Sequence, residues 1–504
     1  MASVVSRRLT RREVLKVGGT LLAGAIVAAC APAPAATPTP APAPKPAAPA
    51  PAAPTAAPTA KPAAGAPSPT SAPAKPAEAP PTPTPAPAKP AAPAATAAPK
   101  KEPVTLRFHD PQSTHSTWIE KRTKEFSAEV PWITVRVEAV PGWVEYFVKV
   151  RTMHAGGQLG DNVYSIQGEG YYQSFVAKGM LREHDDLVKA FNYDLSQHYK
   201  AQVEGAKYRG KMYSLPENIH LGGAGLMYNQ KIFDEAGVSY PTMDWTWEDL
   251  IKAAGKLLKS KSGKVEIWGI LLNTNSIELT ENTLRSYGGA IVAPDGKTCT
   301  LDKPEAVAAI KMMQDLVLKY KVHPTPDPQL NQQQYFLGGS VAMFQTGAWS
   351  LSNIVNLAKD KFYPGAVLLP KGPTAKHGTN VGGDFQCVTA ASKHPEEAFQ
   401  VDMFLCNKES GVRKVLEGAF APGARPDVWT DKRLVDRHPA YRIWADALFT
   451  AESKYLPWNF RGPEISDAFG NGLQPVFLGR ATPEEGAKAT AAAIQKILDM
   501  PPVS

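Results

Sequence analysis

Catalytic signatures are missing from this 504-residue chain. It has no G-x-S-x-G elbow, no H-E-x-x-H and no Cys/His spacing of the metal-binding kind. Asp295-Gly296-Lys297-Thr298 ends like a phosphate-binding loop, but Ile291 stands where the earlier glycine is required. Gly168-Glu169-Gly170 and Gly470-Asn471-Gly472 each lack the third glycine of a dinucleotide fingerprint. The acid pairs Glu396-Glu397 and Glu484-Glu485 fall in the first turns of expected helices, where the macrodipole accounts for them. These absences argue against an enzyme and against a resident metal or cofactor. Cysteine is scarce as well. Beyond Cys30 only Cys299, Cys387 and Cys406 remain, none in a C-x-x-C arrangement, so no disulfide framework can form and three buried thiols are expected.

Long apolar runs are also absent. The best is residues 17–29, which as a helix reaches only about 20 Å against a hydrocarbon core of roughly 30 Å. A basic core is missing too, although the formal net charge is +8. Residues 1–102 hold eleven of the 55 basic and three of the 47 acidic side chains, which leaves 103–504 balanced. A nucleic-acid partner, which needs a clustered basic footprint, is therefore excluded.

What the chain does have begins with an address. Thr10-Arg11-Arg12-Glu13 precedes the short apolar run, which closes in Val27-Ala28-Ala29-Cys30. Arg11 and Arg12 form a twin-arginine export signal. The segment before Cys30 resembles a bacterial lipobox, which implies a signal peptide over 1–29 and a lipidated Cys30. Residues 30–102 are nearly all Ala, Pro, Thr and Lys and contain half of the chain's 48 prolines, so nothing there offsets the entropy of ordering. A disordered, polyproline-rich tether is expected. The protein should work outside the cytoplasm, in a periplasm or on the outer cell surface, held to a membrane by its lipid.

Residues 103–504 suffice for two ordinary domains. The stretches 104–108 and 133–140 alternate apolar and polar residues, as half-buried strands do, and 163–166 reads as a third strand. Helices are expected over 116–128 and 143–155 between them, which argues for an α/β lobe with a largely parallel sheet. Thr246 to Asp249 has capping-box spacing and should open a helix over 247–259. Pro304 opens another, with Ala306, Ile310, Met313, Val317 and Tyr320 on one face, and Thr482-Pro483-Glu484-Glu485 opens the last. Pro294-Asp295-Gly296-Lys297 supplies a turn between two short strands.

Aromatic residues recur beside turn and amide residues, as in Trp143-Val144-Glu145-Tyr146, Gly170-Tyr171-Tyr172, Gly347-Ala348-Trp349 and Pro457-Trp458-Asn459-Phe460. Flat apolar faces next to polar edges suit a sugar ring.

Several segments, in order, resemble the maltose-binding-like group (family 1) of ABC-transporter extracellular solute-binding proteins. They are Arg209-Gly210-Lys211-Met212-Tyr213-Ser214-Leu215-Pro216, Leu226-Met227-Tyr228-Asn229 with the helix after it, and Trp245-Thr246-Trp247-Glu248-Asp249-Leu250. Tyr335-Phe336-Leu337-Gly338-Gly339-Ser340-Val341-Ala342-Met343-Phe344, Leu369-Pro370-Lys371-Gly372-Pro373 and Lys393-His394-Pro395-Glu396-Glu397-Ala398-Phe399 follow. The resemblance spans nearly all of 103–504. It implies an α/β, two-lobed periplasmic-binding-protein-like fold (type II), with the ligand in a cleft between lobes. Lobe 1 would take about 103–213 and 368–412, and lobe 2 about 216–366 and 415–504. Crossings would fall near 213–216, 366–370 and 410–417. The ligand-contacting positions it implies are His109 and Asp110 after the first strand, Trp143 and Tyr146, then Gln167, Glu169 and Tyr171 after the third strand. Asn218 and His220 follow the first crossing, and Trp349, Asp384, Arg425, Trp458 and Asn459 complete the set. Ser165 and Gly168 stand where many relatives carry aromatic or acidic residues, so the first lobe should grip its ligand differently. The implied function is capture of a sugar or oligosaccharide by lobe closure and delivery to the permease subunits of an ABC importer, without a cofactor and as a monomer. A polyamine, a phosphorylated polyol or a sensory role is the alternative.

Overall fold

A computed structural model describes residues 101–327, 329–449, 454–455 and 461–501. Arg11, Arg12, Cys30, Trp458 and Asn459 lie outside the described residues, as does the side chain of Glu169.

The chain starts with the expected alternation: β1 (Val104–Pro111), α1 (Thr114–Glu129), β2 (Ile133–Val140), α2 (Trp143–Ala155) and β3 (Asn162–Ile166). Ser113 starts α1 with a reciprocal cap. Its hydroxyl accepts from the His115 N–H, and the Ser116 hydroxyl accepts from the Ser113 N–H. β1 runs parallel to both β2 and β3, as strands joined through crossover helices must.

The remaining elements that frame the cleft are β4 (Leu215–His220), β5 (Gly225–Asn229), α3 (Trp247–Leu257), β6 (Lys259–Lys261), β7 (Lys264–Leu271), α4 (Ile277–Ser286) and α5 (Pro304–Leu318). They continue with β8 (Val341–Thr346), α6 (Ala348–Ala358), β9 (Pro364–Leu368), β10 (Asn380–Val388), α7 (Pro395–Leu405) and α8 (Lys408–Leu416). Last come β11 (Lys454–Tyr455), α9 (Gly462–Phe477) and α10 (Pro483–Leu498). Of the two large sheets, one has the order β11-β10-β3-β1-β2, with β4 also on β10, and the other has the order β9-β5-β8-β7-β6. Each sheet is the centre of one lobe. The first is mixed where a largely parallel sheet was expected, because β10 returns from the second lobe and pairs antiparallel with β3 and β4.

Sheet membership moves the crossings. The sequence puts a crossing at 213–216, yet all six residues of β4 are buried, and all but Glu217, which sits at a register shift, pair with β10 in the first sheet. The first crossing is therefore 221–224, not 213–216. The second runs over 369–379, after β9 leaves the second sheet and before β10 joins the first. The third also falls later than 410–417. α8 is fastened to the first lobe through Arg122 on Ser410 (2.9 Å) and through Arg413 on Glu125 (2.7 Å), and the chain is back in the second lobe's core by α9. Between them Trp429, Tyr441 and Trp444 join a core cluster shared by strands of both sheets.

Local expectations fare well. Thr246–Asp249 and Thr482–Glu485 both form complete capping boxes. Ala306, Ile310, Met313 and Val317 are buried on α5, whereas Tyr320 falls beyond the helix and is exposed. Asp295 accepts from the Lys297 and Thr298 N–H groups in the expected turn, but its flanking strands reduce to one bridge between Val292 and Cys299. Cys299, Cys387 and Cys406 are free and buried. No helix among the described residues is long and apolar enough to cross a membrane.

Candidate ligand-binding cleft

A cavity of about 290 Å³ opens between the lobes. The first lobe lines it with Trp143 at the start of α2, Ile166 and Gly168 at the end of β3, His220 at the end of β4, and Asp384 on β10. The second supplies Ser276, Glu278 and Leu279 around the start of α4 and Trp349 in the first turn of α6; Phe420 completes the wall. Strand ends and helix starts converge here because that is where backbone donors face an α/β cleft. A second cavity of about 190 Å³ shares Trp143, Trp349 and Phe420. Its remaining lining mixes hydroxyl and amide groups (Ser113, Thr114, Ser350, Gln333 and Asn353) with Pro111, Ala419, Tyr164 and the His115 imidazole. Three aromatic side chains thus stand between a compartment lined by carboxylates and one lined by hydroxyls, amides and the His115 imidazole.

The aromatic wall is braced. Trp143 meets Phe147 edge-on at 5.4 Å between centroids and remains 41 % exposed. Trp349 meets the His220 ring edge-on at 4.7 Å. Its indole lies over Gly347, where a Cβ would overlap the ring. Gly168 has a similar role across the cleft, since a Cβ there would come within 2.6 Å of Glu278 Oε2. The acid absent from the first lobe at this position is supplied by the second.

Electrostatics sharpen the acidic compartment. Asp384 is 4 % exposed and accepts from Asn218 Nδ2 at 2.6 Å and from the Tyr164 hydroxyl. Burial, helped by nearby Glu217, pushes its carboxyl up to about 6 despite those two hydrogen bonds. Burial also holds the His220 imidazole down at about 3, with Lys414 adding to the effect, so His220 is neutral. Beneath the cleft runs a buried charge cluster. His115 bonds Asp110 at 2.9 Å through Nδ1 and Glu217 at 2.8 Å through Nε2, and Lys414 reaches the same Glu217 at 2.7 Å. Burial opposes charge on His115, but the two carboxylates outweigh it and raise the imidazole to about 10. Burial likewise opposes charge on Glu217, yet Lys414 and His115 hold it down at about 2.

The family of bacterial extracellular solute-binding proteins matches residues 111–411. This chain belongs to that family.

Membership places the solute-binding protein outside the cytoplasm, and solute capture for import is its function. A binding protein of Brucella abortus is 28% identical over 391 residues, 76% of this chain and 90% of the relative. An arabinooligosaccharide-binding protein of Bacillus subtilis is 24% identical over 330 residues, 60% of this chain and 73% of the relative. Among solved structures, an ABC substrate-binding protein of Listeria monocytogenes in complex with cycloalternan matches with a TM-score of 0.70 at 25% identity, over 79% of this chain and 99% of that one. The two-lobed fold is thus shared with known binding proteins.

Within this solute-binding protein the expected contact residues separate into three groups. Trp143, His220, Trp349 and Asp384 line the cavity. Asp110 and Asn218 stand one layer behind, gripping His115 and Asp384. The others among the described residues are placed elsewhere. His109 alternates with Asp110 along β1 and points the other way, where its Nε2 accepts from the Gly160 N–H at 3.0 Å. Tyr146, one turn into α2, is buried and donates to the carbonyls of Tyr164 (2.7 Å) and His109 (3.1 Å). Tyr171 stacks on Phe147 at 3.8 Å, and Gln167 is buried and yields the lining position to Gly168. Arg425 is occupied by Asp427 in a bidentate pair at 2.9 Å and by Gln197. Sequence reasoning missed Ser276, Glu278, Leu279 and Phe420. Only Ser276 and Glu278 left a trace: a capping serine and an acid in the following turn mark a helix start, and the Ser276 hydroxyl accepts from the Leu279 N–H.

Proposed function

We propose that this protein captures a carbohydrate between its lobes for an ABC importer and hands it to the permease subunits while tethered to the membrane by a lipid on Cys30. The observation that carries the solute class is the partition of Trp143, Trp349 and Phe420, flanked by Asp384, Glu278 and Ser276 on one side and by amides, hydroxyls and the His115 imidazole on the other. Aromatic faces stack on the apolar faces of pyranose or furanose rings, while carboxylates and amides accept and donate to their hydroxyls. The cycloalternan complex of the Listeria relative and the arabinooligosaccharide-binding relative support the same class. Two compartments sharing one wall suit a solute of at least two rings.

A thermal-shift screen tests this with maltotriose, arabinotriose, cycloalternan, spermidine and glycerol phosphate. At least one carbohydrate should stabilise the protein; a response to spermidine or glycerol phosphate alone would overturn the solute class. Trp349→Ala should weaken the responding sugar by about 1–3 kcal/mol, the scale of a buried aromatic contact. Gly347→Ala should act in the same direction by pushing the indole aside. Calorimetry giving wild-type affinity for both variants would remove Trp349 from the site.

The tether rests on the order of twin arginines, short apolar run and Cys30. Cys30→Ser should move the protein from the membrane fraction to the soluble fraction of expressing cells. A variant still found with membranes would rule out a lipid at that position.

A further inference from the structure

The start of α4 does more than line the cavity. Its first turns are tied to both crossing segments by buried carboxamides. On the side of crossing 221–224, Gln345 of β8 is fully buried and donates from Nε2 to the carbonyls of Gly223 (2.9 Å) and Leu279 (2.8 Å). Its Oε1 accepts from the Asn273 N–H at 3.2 Å, which fixes the amide's orientation. Leu279 also fills the space beside Gly223, where a Cβ would come within 2.3 Å of Leu279 Cγ. On the side of crossing 369–379, Asn380 is fully buried and donates from Nδ2 to the carbonyl of Glu278 at 3.1 Å. The Asn380 N–H donates in turn to Asn282 Oδ1 at 3.0 Å, and Arg285 reaches the Thr379 carbonyl at 3.2 Å. The two crossings meet each other here as well. Gly222 has φ +54, and the Asn380 amide oxygen takes the room its missing side chain leaves.

A helix is stiff, and buried amide–carbonyl bonds in a low dielectric are strong and directional. The first turns of α4 cannot shift without carrying both crossings along or breaking these bonds. Ser276, Glu278 and Leu279, which line the cavity, stand at the start of this same fastened segment.

We infer that the first two turns of α4, held by Gln345 and Asn380, form the coupling through which a solute in the cavity sets the angle between the lobes. Gln345 and Asn380 are positioning residues: they act through α4 and the crossings, and neither lines the cavity. Packing alone would require only that their polar atoms be satisfied. Coupling requires more, namely that removing either amide loosens lobe movement while leaving the lobes folded. The inference rests on the cleft reading above but not on the solute being a sugar.

The test is a distance measurement in the full-length protein. Dyes are attached at Lys189→Cys in the first lobe and Lys261→Cys in the second, both exposed positions, in a Cys30→Ser background. Energy transfer is recorded without solute and during titration with maltotriose, arabinotriose and cycloalternan. Gln345→Ala and Asn380→Ala should each keep the wild-type circular dichroism, broaden the distance distribution of the unliganded protein, and raise the midpoint of sugar-driven closure by about tenfold. Should either fail to fold, Asn282→Ala removes the bond to the Asn380 N–H together with the Asn282 Nδ2 bond to the Glu278 carbonyl within α4, and should broaden the distribution in the same way. Folded variants with the wild-type distribution and midpoint would overturn the coupling. If none of the three sugars closes the wild-type protein, the carbohydrate reading falls, and the unliganded distributions alone decide the coupling.

Discussion

Replacing Lys414 with methionine is expected to destabilise the protein by about 3–5 kcal/mol, the cost of breaking a buried ion pair from one side. Lys414 and Glu217 are both fully buried at a separation of 2.7 Å. Glu217 also receives His115, which in turn holds Asp110. Two cations and two carboxylates therefore balance in a volume closed to water. Methionine keeps the side-chain stem, whose ammonium sits 5.6 Å from the Trp118 ring centroid, but leaves one carboxylate in excess. Four segments lose their common fastening together: β1 through Asp110, α1 through His115, β4 through Glu217, and α8. The pH dependence follows from the shifts. Glu217 is depressed to about 2, so its stabilisation is present above the ordinary carboxylate range and lost only as pH falls through about 2. His115 is raised to about 10, so its stabilisation is present below the ordinary imidazole value and lost as pH rises through about 10. Lys414 also favours the ionised form of Asp384, whose carboxyl sits at about 6, so the gap between wild type and Lys414→Met should widen as pH rises through about 6. Urea midpoints at several pH values check this; a loss below about 1 kcal/mol would mean that the cluster is not the fastening described here.

Legibility in the sequence divides along a physical line. Patterns with a period were readable: the alternation in β1 and β2, the extent of α2, and the capping boxes that open α3 and α10. Each depends on neighbours in the chain. β4 was unreadable because burial on both faces abolishes alternation, and its Pro216, Glu217 and Asn218 mimic a loop while the Glu217 carboxylate and the Asn218 Nδ2 find partners on β10, α1 and α8. The same distinction governs the site. Motif order located the loops around the cavity, but which neighbour faces inward depends on strand phase. β1 turns Asp110 toward His115 and His109 away, and after β3 it is Gly168, not Gln167, that reaches the cavity. Glu278 is legible in the sequence only as a first-turn acid after Ser276, not as a cavity residue. It enters the cavity from the other lobe, and what brings it there is the absence of a side chain at Gly168 and Gly382.

Asp384→Asn is expected to raise the stability of the unliganded protein by about 3 kcal/mol at about pH 8 while weakening solute binding, because burial lifts this carboxyl to about 6, well above the ordinary carboxylate range. The sign is opposite to that of Glu217. A carboxyl raised in the folded state contributes stability that is fully present below its unfolded value and lost as pH rises through about 6. The wild type should therefore weaken between about pH 4 and about pH 8. The asparagine variant lacks this titration, so its advantage should grow over the same interval. Asparagine still offers one oxygen to Asn218 Nδ2 and the Tyr164 hydroxyl, so the fold loses little in the exchange. The cavity loses a charged acceptor. Hydrogen bonds to an ionised carboxylate are about twice as strong as neutral ones, and a sugar hydroxyl that donates to Asp384 would meet an amide instead. Wild-type affinity should fall from about pH 7 to about pH 5 as Asp384 takes up its proton, whereas the variant's affinity should be weak and flat. Denaturation and calorimetry at three pH values measure both effects. A variant no more stable at pH 8 would mean that Asp384 is solvated more fully than its surroundings indicate; unchanged sugar affinity would remove it from the contact set. If both effects appear, the buried carboxylate that costs the unliganded fold stability is the same group whose charge a donating hydroxyl of the solute compensates on binding.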